Sequence, residues 1–336
     1  MKKILTAILL QILIFLQLGC SNSIVENVSF ANDLELITPA NTQGLDLLTT
    51  IRISDPGSLT DLEFSPSGNF IAESWEGAGR LVIRSLFPSV DVVFDEPLYG
   101  GRFQRMQFLP DNEDLILQIN DGANSRLLSV ETTNFTLQQI TQDPLAISMA
   151  VSIDGAILAS AHFDPSSSLQ WIQIRDTARW HLLSTNYLSA ISSIGRLEHL
   201  AFDHDSEHLI SGNSLGQIEY WDIASLDIAE RIFESVDQSP IEAMDYNESN
   251  MILAFGVTDN VYIWHQGEVK VLGRHPERVR QLAFNPNGTL LASISSRNLL
   301  LWNIDTEQLV ANIPFQNIFG LFDVDFSPDG KLLAIS

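Results

Sequence analysis

Read for its apolar and polar positions, the chain is a succession of short runs cut by tight turns. The clearest stretch is LFDVDFSPDGKLLAIS at 321–336. There an apolar run ends in Phe326, a Ser-Pro-Asp-Gly turn follows, and a second run starts at Leu332. Two alternating runs around such a turn predict a β-hairpin. LTDLEFSPSGNFIAES and VRQLAFNPNGTLLASI repeat the phrase. Taking the last apolar residue before each turn as a marker gives Phe64, Phe108, Val151, Phe202, Tyr246, Phe284 and Phe326, spaced by 44, 43, 51, 44, 38 and 42 residues. A second marker lies 18 to 24 residues further on: Trp221, Trp264 and Trp302 in the later units, with Arg84, Ser129 and Arg175 in the same place earlier. A third and a fourth strand-like run flank it. The pattern predicts four short strands per unit and no helix beyond the first residues.

These residues resemble the WD-repeat β-propeller family, over residues 34–336. The resemblance implies an all-β fold: a seven-bladed β-propeller of four-stranded antiparallel blades around a central channel. The tryptophan near the end of the third strand, the SPDG hairpins and the spacing carry it. Only Trp221-Asp222 keeps the naming dipeptide, and His275, four residues before Val279, stands where the family has its Gly-His box. The resemblance makes Trp221, Asp222, Trp264, Trp302 and His275 the repeat-structural residues. The family's Asp in the turn between second and third strands is replaced by Leu215 in one unit and kept as Asp259 in another. Its buried His–Ser/Thr–Asp–Trp network is therefore incomplete, and apolar packing is expected to hold the blades more than that network does.

Closure has two readings. Ser336 falls inside the second strand of the seventh unit. Either LELIT at 34–38 and LDLLTTIRI at 45–53 supply its third and fourth strands, or a final strand belongs after Ser336; the second is the preferred expectation. In both, Leu45–Ile53 is the outer strand that closes the ring.

The first residues differ from everything after them. Lys2 and Lys3 precede the apolar stretch ILTAILLQILIFLQL at 4–18. Fifteen residues interrupted by Thr6, Gln11 and Gln17 fall short of the roughly 20 a span needs, and read as an export signal. The stretch runs into LGC-SNS, which resembles a bacterial lipoprotein signal and implies lipidation of Cys20; Gln17 stands where that family usually has Leu. The expected organisation is a signal over 1–19, a polar tether over 20–33 and the propeller over 34–336. The expected location is the cell envelope, exported and anchored through Cys20.

Composition narrows the chemistry. A net charge of −24 disfavours nucleic acid as a partner. Cys20 is the single cysteine, which excludes an intrachain disulfide and a cysteine metal site. The seven histidines form no metal-ligand spacing. No nucleophile elbow, P-loop or dinucleotide fingerprint is present, so no catalytic residue, metal or cofactor is expected. Asp61, Asp245, Asp323 and Asp325 fall near the channel and read as a solvated acidic rim. The long third unit carries its extra residues in HFDPSSS and NYLSAISSIGR. Loop aromatics suit docking, which nominates Trp75, Tyr99, Phe163, Asp164 and Tyr187 as partner-binding residues. The expected function is a monomeric, non-enzymatic, lipid-anchored scaffold for a protein partner. The alternatives are the propeller of a periplasmic hydrolase or translocation-type system, and a small-ligand or metal sensor using the acidic channel.

Overall fold

The computed structural model of the chain describes residues 11–18, 37–38, 40–42, 45–53, 58–76, 79–98, 102–110, 114–120, 125–143, 146–188, 195–315 and 320–336. Six four-stranded sheets follow one another along the sequence, each a meander of consecutive antiparallel strands. They span 58–97, 102–143, 146–188, 197–234, 241–274 and 281–314, here blades one to six. The hairpin 324–335 starts a seventh sheet. The fold is an all-β propeller with four-stranded antiparallel blades, as the repeat predicts.

The turn chemistry explains the hairpins. In blade one the Ser65 hydroxyl accepts the Phe70 amide at 3.1 Å, and Gly68 takes a φ of 72°. Asn285 with Gly288 repeats this in blade six, Ser327 with Gly330 in the seventh sheet. A short polar side chain closes the turn, and glycine supplies the left-handed residue that a Cβ disfavours.

Apolar residues are buried between sheets rather than within one. Seven buried clusters appear among the described residues, and each joins two neighbouring sheets. Leu62, Phe64 and Trp75 of blade one pack with Leu332 and Ala334 of the seventh sheet. Leu290 and Leu299 of blade six meet Val324 and Leu333 from its other side. A blade alone buries neither face, so each is stabilised by both neighbours.

The seventh sheet departs from expectation. Its order is Leu45–Ile53, Gln11–Leu18, 332–335, 324–326. Leu45–Ile53 is the outer strand, as expected. The third place, however, belongs to Gln11–Leu18, which pairs in parallel with both neighbours. The sheet is therefore mixed, not antiparallel throughout. Of the expected third strand, residues 34–36 lie outside the described residues and 37–38 are irregular. Ile37 is nonetheless fully buried with Val324, Phe326 and Leu333, and its amide donates to the Gly330 carbonyl at 2.8 Å. Ile37 thus reaches the seventh sheet as an anchored side chain rather than as part of a strand. Cys20 and the tether at 20–33 lie outside the described residues.

Close approach also has a sequence trace. A Cβ on Gly273 would stand 2.3 Å from the Trp302 ring. Gly273→Ala is expected to destabilise the protein by about 1–3 kcal/mol, as overpacking does. Chemical denaturation measures this, and an unchanged midpoint would contradict the packing.

Candidate functional site

The channel is where the first strands meet. The inner edge of each first strand has no partner in its own sheet, so its amides need acceptors from elsewhere. The neighbouring blade supplies them. Asp61 and Glu63 of blade one accept from Met106 and Phe108 of blade two, at 2.8 and 3.0 Å. Gln107 of blade two accepts from Val151 of blade three at 3.0 Å. Asp245 of blade five accepts from Phe284 of blade six at 2.7 Å. Asp323 and Asp325 of the seventh sheet accept from Leu62 and Phe64 of blade one, at 2.7 and 2.9 Å. The side chains two apart on a strand point the same way, so 61/63 and 323/325 each staple one seam twice.

These groups line a cavity of about 350 Å³ together with Arg105 and His199. Burial pushes every one of the five carboxyls up, Asp245 to about 7. Arg105 donates to His199 Nδ1 at 3.0 Å, and His199 Nε2 lies 3.1 Å from the Ile241 carbonyl. Burial first, then Arg105, holds this imidazole down at about 3, so it stays neutral. Asp61, Asp245, Asp323 and Asp325 thus line the channel where the sequence puts them, Asp323 buried and the other three half-buried, and each also accepts an amide of the next blade. Glu63, Arg105 and His199 were missed; the alternation 61/63 and 323/325 was the available signal.

The repeat-structural residues form a second system. In blade six the Trp302 indole donates to the Ser293 hydroxyl at 2.7 Å, and His275 Nε2 lies 2.6 Å from the same oxygen. Burial lowers the His275 pKa to about 4. Asp259 does not complete the network: its carboxylate is paired with Arg274, while His275 Nδ1 is buried without a partner. In blade four Trp221 donates to Ser211 at 2.9 Å, and Asp222 caps the following turn through Ser225. Trp264 is half-buried against blade four's Tyr220.

Cross-strand register aligns the other units. Phe64, Ile71 and Arg84 occupy one row, as do Phe202, Leu209 and Trp221. In blade two the row is Phe108, Leu115 and Val130, so Val130 and not Ser129 holds the tryptophan's place. Two residues beyond the second-strand member sits the partner position: Ser211 and Ser293 under tryptophan, Leu117 beside Val130, Glu73 beside Arg84. Arg84 Nε donates to Glu73 Oε1 at 2.6 Å, both side chains almost fully buried. The first blade thus uses an ion pair where blades four and six use indole and hydroxyl.

The partner-binding nominations divide. Trp75 is 2% exposed in the core between blade one and the seventh sheet, so it is no docking residue. Its place at the end of a second strand, packed against Leu59, explains this. Tyr99 lies outside the described residues. Tyr187 is 67% exposed and backed by Trp171, its cross-strand neighbour, which stacks on His162. Phe163 and Asp164 are half-buried where the same blade turns. Asp164 fixes that turn by accepting from the Ser166 amide and hydroxyl and from the Ser167 hydroxyl.

One group of Asp and His side chains among the described residues, Asp203, Asp205 and His208, has ligand atoms within 4.8 Å of one another. Its oxygens are engaged within the blade: Tyr220 of the strand Gln217–Asp222 donates to Asp203, and Asp205 accepts the Glu207 amide at 2.7 Å. It is a capped hairpin turn.

Comparison with known proteins places these features. Residues 266–303 match the family model described as WD domain, G-beta repeat. Over 117 residues the chain is 29% identical to WD repeat and SOCS box-containing protein 1 of Takifugu rubripes. That stretch covers 33% of this chain and 27% of the relative, so the chain spans about a quarter of that protein. Among solved structures, Kuenenia stuttgartiensis hydrazine synthase is similar with a TM-score of 0.66 at 16% identity, over 84% of this chain and 93% of that one. At that identity the likeness concerns the fold alone.

Proposed function

We propose, from the premise that this chain is a WD-repeat β-propeller, that it is a non-enzymatic scaffold that docks a protein partner on blade three and that its exported form, which would give up Gln11–Leu18 of the seventh sheet with the signal, is lipid-anchored through Cys20. The observation that carries the reading is Tyr187, exposed on a rigid aromatic stack beside the Asp164 turn. A large aromatic whose support is already ordered buries much area at little entropic cost on binding. The amides that occupy the channel carboxyls weigh against the metal-sensor alternative, because each acid already serves a neighbouring blade.

Two experiments test this. Affinity capture from an envelope fraction should recover a partner that Tyr187→Ala loses by about tenfold or more, in the range of an interface hot spot, while Lys270→Ala on blade five retains it. Equal capture by both variants would sink the assigned surface. Separately, Cys20→Ser should move the protein from membrane to soluble fractions, since stable anchoring needs more than one acyl chain and this residue would carry them. Unchanged membrane association would overturn the anchor.

A further inference from the structure

The amides stapled across the channel are not all held by the same chemistry. Leu62 and Phe64 are held by Asp323 and Asp325, Met106 and Phe108 by Asp61 and Glu63, and Phe284 by Asp245. Val151 is held by an uncharged side chain, Gln107. Otherwise the geometry is alike, so the molecule carries its own control.

The seam between the seventh sheet and blade one differs again. Residues 62 and 323 are 261 positions apart, so this contact ties the two ends of the propeller. Here the Asp61 and Asp323 carboxyls line the same stretch of the channel, close enough for one to donate to the other. Two carboxyls can share such a bond only if one of them keeps its proton. Loss of that proton places two anions, Asp323 buried and Asp61 half-buried, against each other, with Glu63 and Asp325 beside them.

We propose that the Asp61–Asp323 carboxyl pair is a proton-operated latch on ring closure, which holds blade one to the seventh sheet while one proton is shared and loosens that seam first as the pH rises. The groups facing the pair support this. Blade one brings Asp61 and Glu63, and the seventh sheet brings Asp323 and Asp325. Blade two brings Arg105, which lies against His199 of blade four and is the one Lys or Arg lining the cavity among the described residues. Blade five brings Asp245, and blade six only Gln281. Blade three lines the cavity with Met149. One guanidinium faces five carboxyls, so ionisation is not compensated. The sign follows: a carboxyl whose pKa is raised by folding stabilises the folded form most when protonated, and that contribution is lost as pH climbs through its folded value. Burial raises both Asp61 and Asp323.

Amide hydrogen exchange on the full chain tests the latch, with each rate divided by its intrinsic value at that pH. Between about pH 5 and about pH 8, protection at Leu62 should fall by about tenfold or more relative to Val151, the change that one unit of pKa displacement makes in an opening equilibrium. Asp61→Asn keeps an oxygen for the Met106 amide and offers Asp323 a permanent N–H. It should hold Leu62 protected at both pH values, while Phe64, which depends on Asp325, still responds. Gln107→Glu should import the same pH response to Val151. Equal loss of protection at Leu62 and Val151 in the unaltered protein would overturn the proposal. So would an Asp61→Asn protein whose Leu62 amide keeps its pH dependence, or a Gln107→Glu protein whose Val151 amide gains none.

Discussion

Glu73→Ala should cost about 3–5 kcal/mol of stability, the range found when one partner of a buried ion pair is removed. Glu73 is wholly buried and Arg84 nearly so, and Glu73 holds Arg84 through Nε at 2.6 Å and Nη2 at 3.4 Å. Its remaining nitrogen, Nη1, is already buried without a partner. Removing the carboxylate leaves a guanidinium on the apolar face that carries Ile71, Val82 and Leu86. The informative companion is the double change Glu73→Ser with Arg84→Trp, which copies Ser211 and Trp221 of blade four. Well-packed replacements of buried ion pairs are often neutral or stabilising. The double variant should therefore recover most of the loss, whereas Arg84→Trp alone, which strands Glu73, should not. Urea denaturation of the four proteins decides it. A Glu73→Ala protein within about 1 kcal/mol of the parent, the value of an exposed pair, would show that the pair contributes no more than a surface contact.

Deleting Leu45–Ile53 should abolish cooperative melting rather than fray one edge. This strand pairs along its length with Gln11–Leu18 in the seventh sheet and leads directly into blade one. Without it the seventh sheet loses its outer strand, and the connection into blade one is shortened by the length of that strand. Toward blade one the hairpin 324–335 is then left with the apolar contacts of Leu332 and Ala334 and the Asp323 and Asp325 staples. In an array where each unit is stabilised by its neighbours, opening one interface exposes two. Folded domains hold only about 5–15 kcal/mol in reserve, so such a loss reaches the whole ring. Circular dichroism against temperature is the measurement. A melt within a few degrees of the full chain would mean the strand is dispensable.

Where pattern and physics coincide, the sequence was legible. A Ser-Pro-Asp-Gly turn between alternating runs has one good solution, and each marker from Phe64 to Phe326 lies opposite a residue of the next strand in its sheet. Reading failed where a residue's fate depends on another sheet. Trp75 ends a strand beside a loop, which suggests exposure, yet the seventh sheet covers it. Ser129 and Val130 are adjacent, and only pairing with Leu115 selects Val130. The channel aspartates were visible by position, but their role was not, because each acceptor's donor lies about 40 or more residues away, on the next blade. Tyr187 was legible for the opposite reason: its outer strand has no further layer to cover it.

The bond between Asp323 and the Leu62 amide also fixes an order of events. After Leu62 is made, a further 261 residues must follow before the acceptor exists, and contacts so distant in sequence form slowly. Until then every partial product has two apolar ends, of the kind that invites association with other chains. Biogenesis of this protein would therefore depend on whatever shields those ends during synthesis, and a slow final docking step should dominate its refolding.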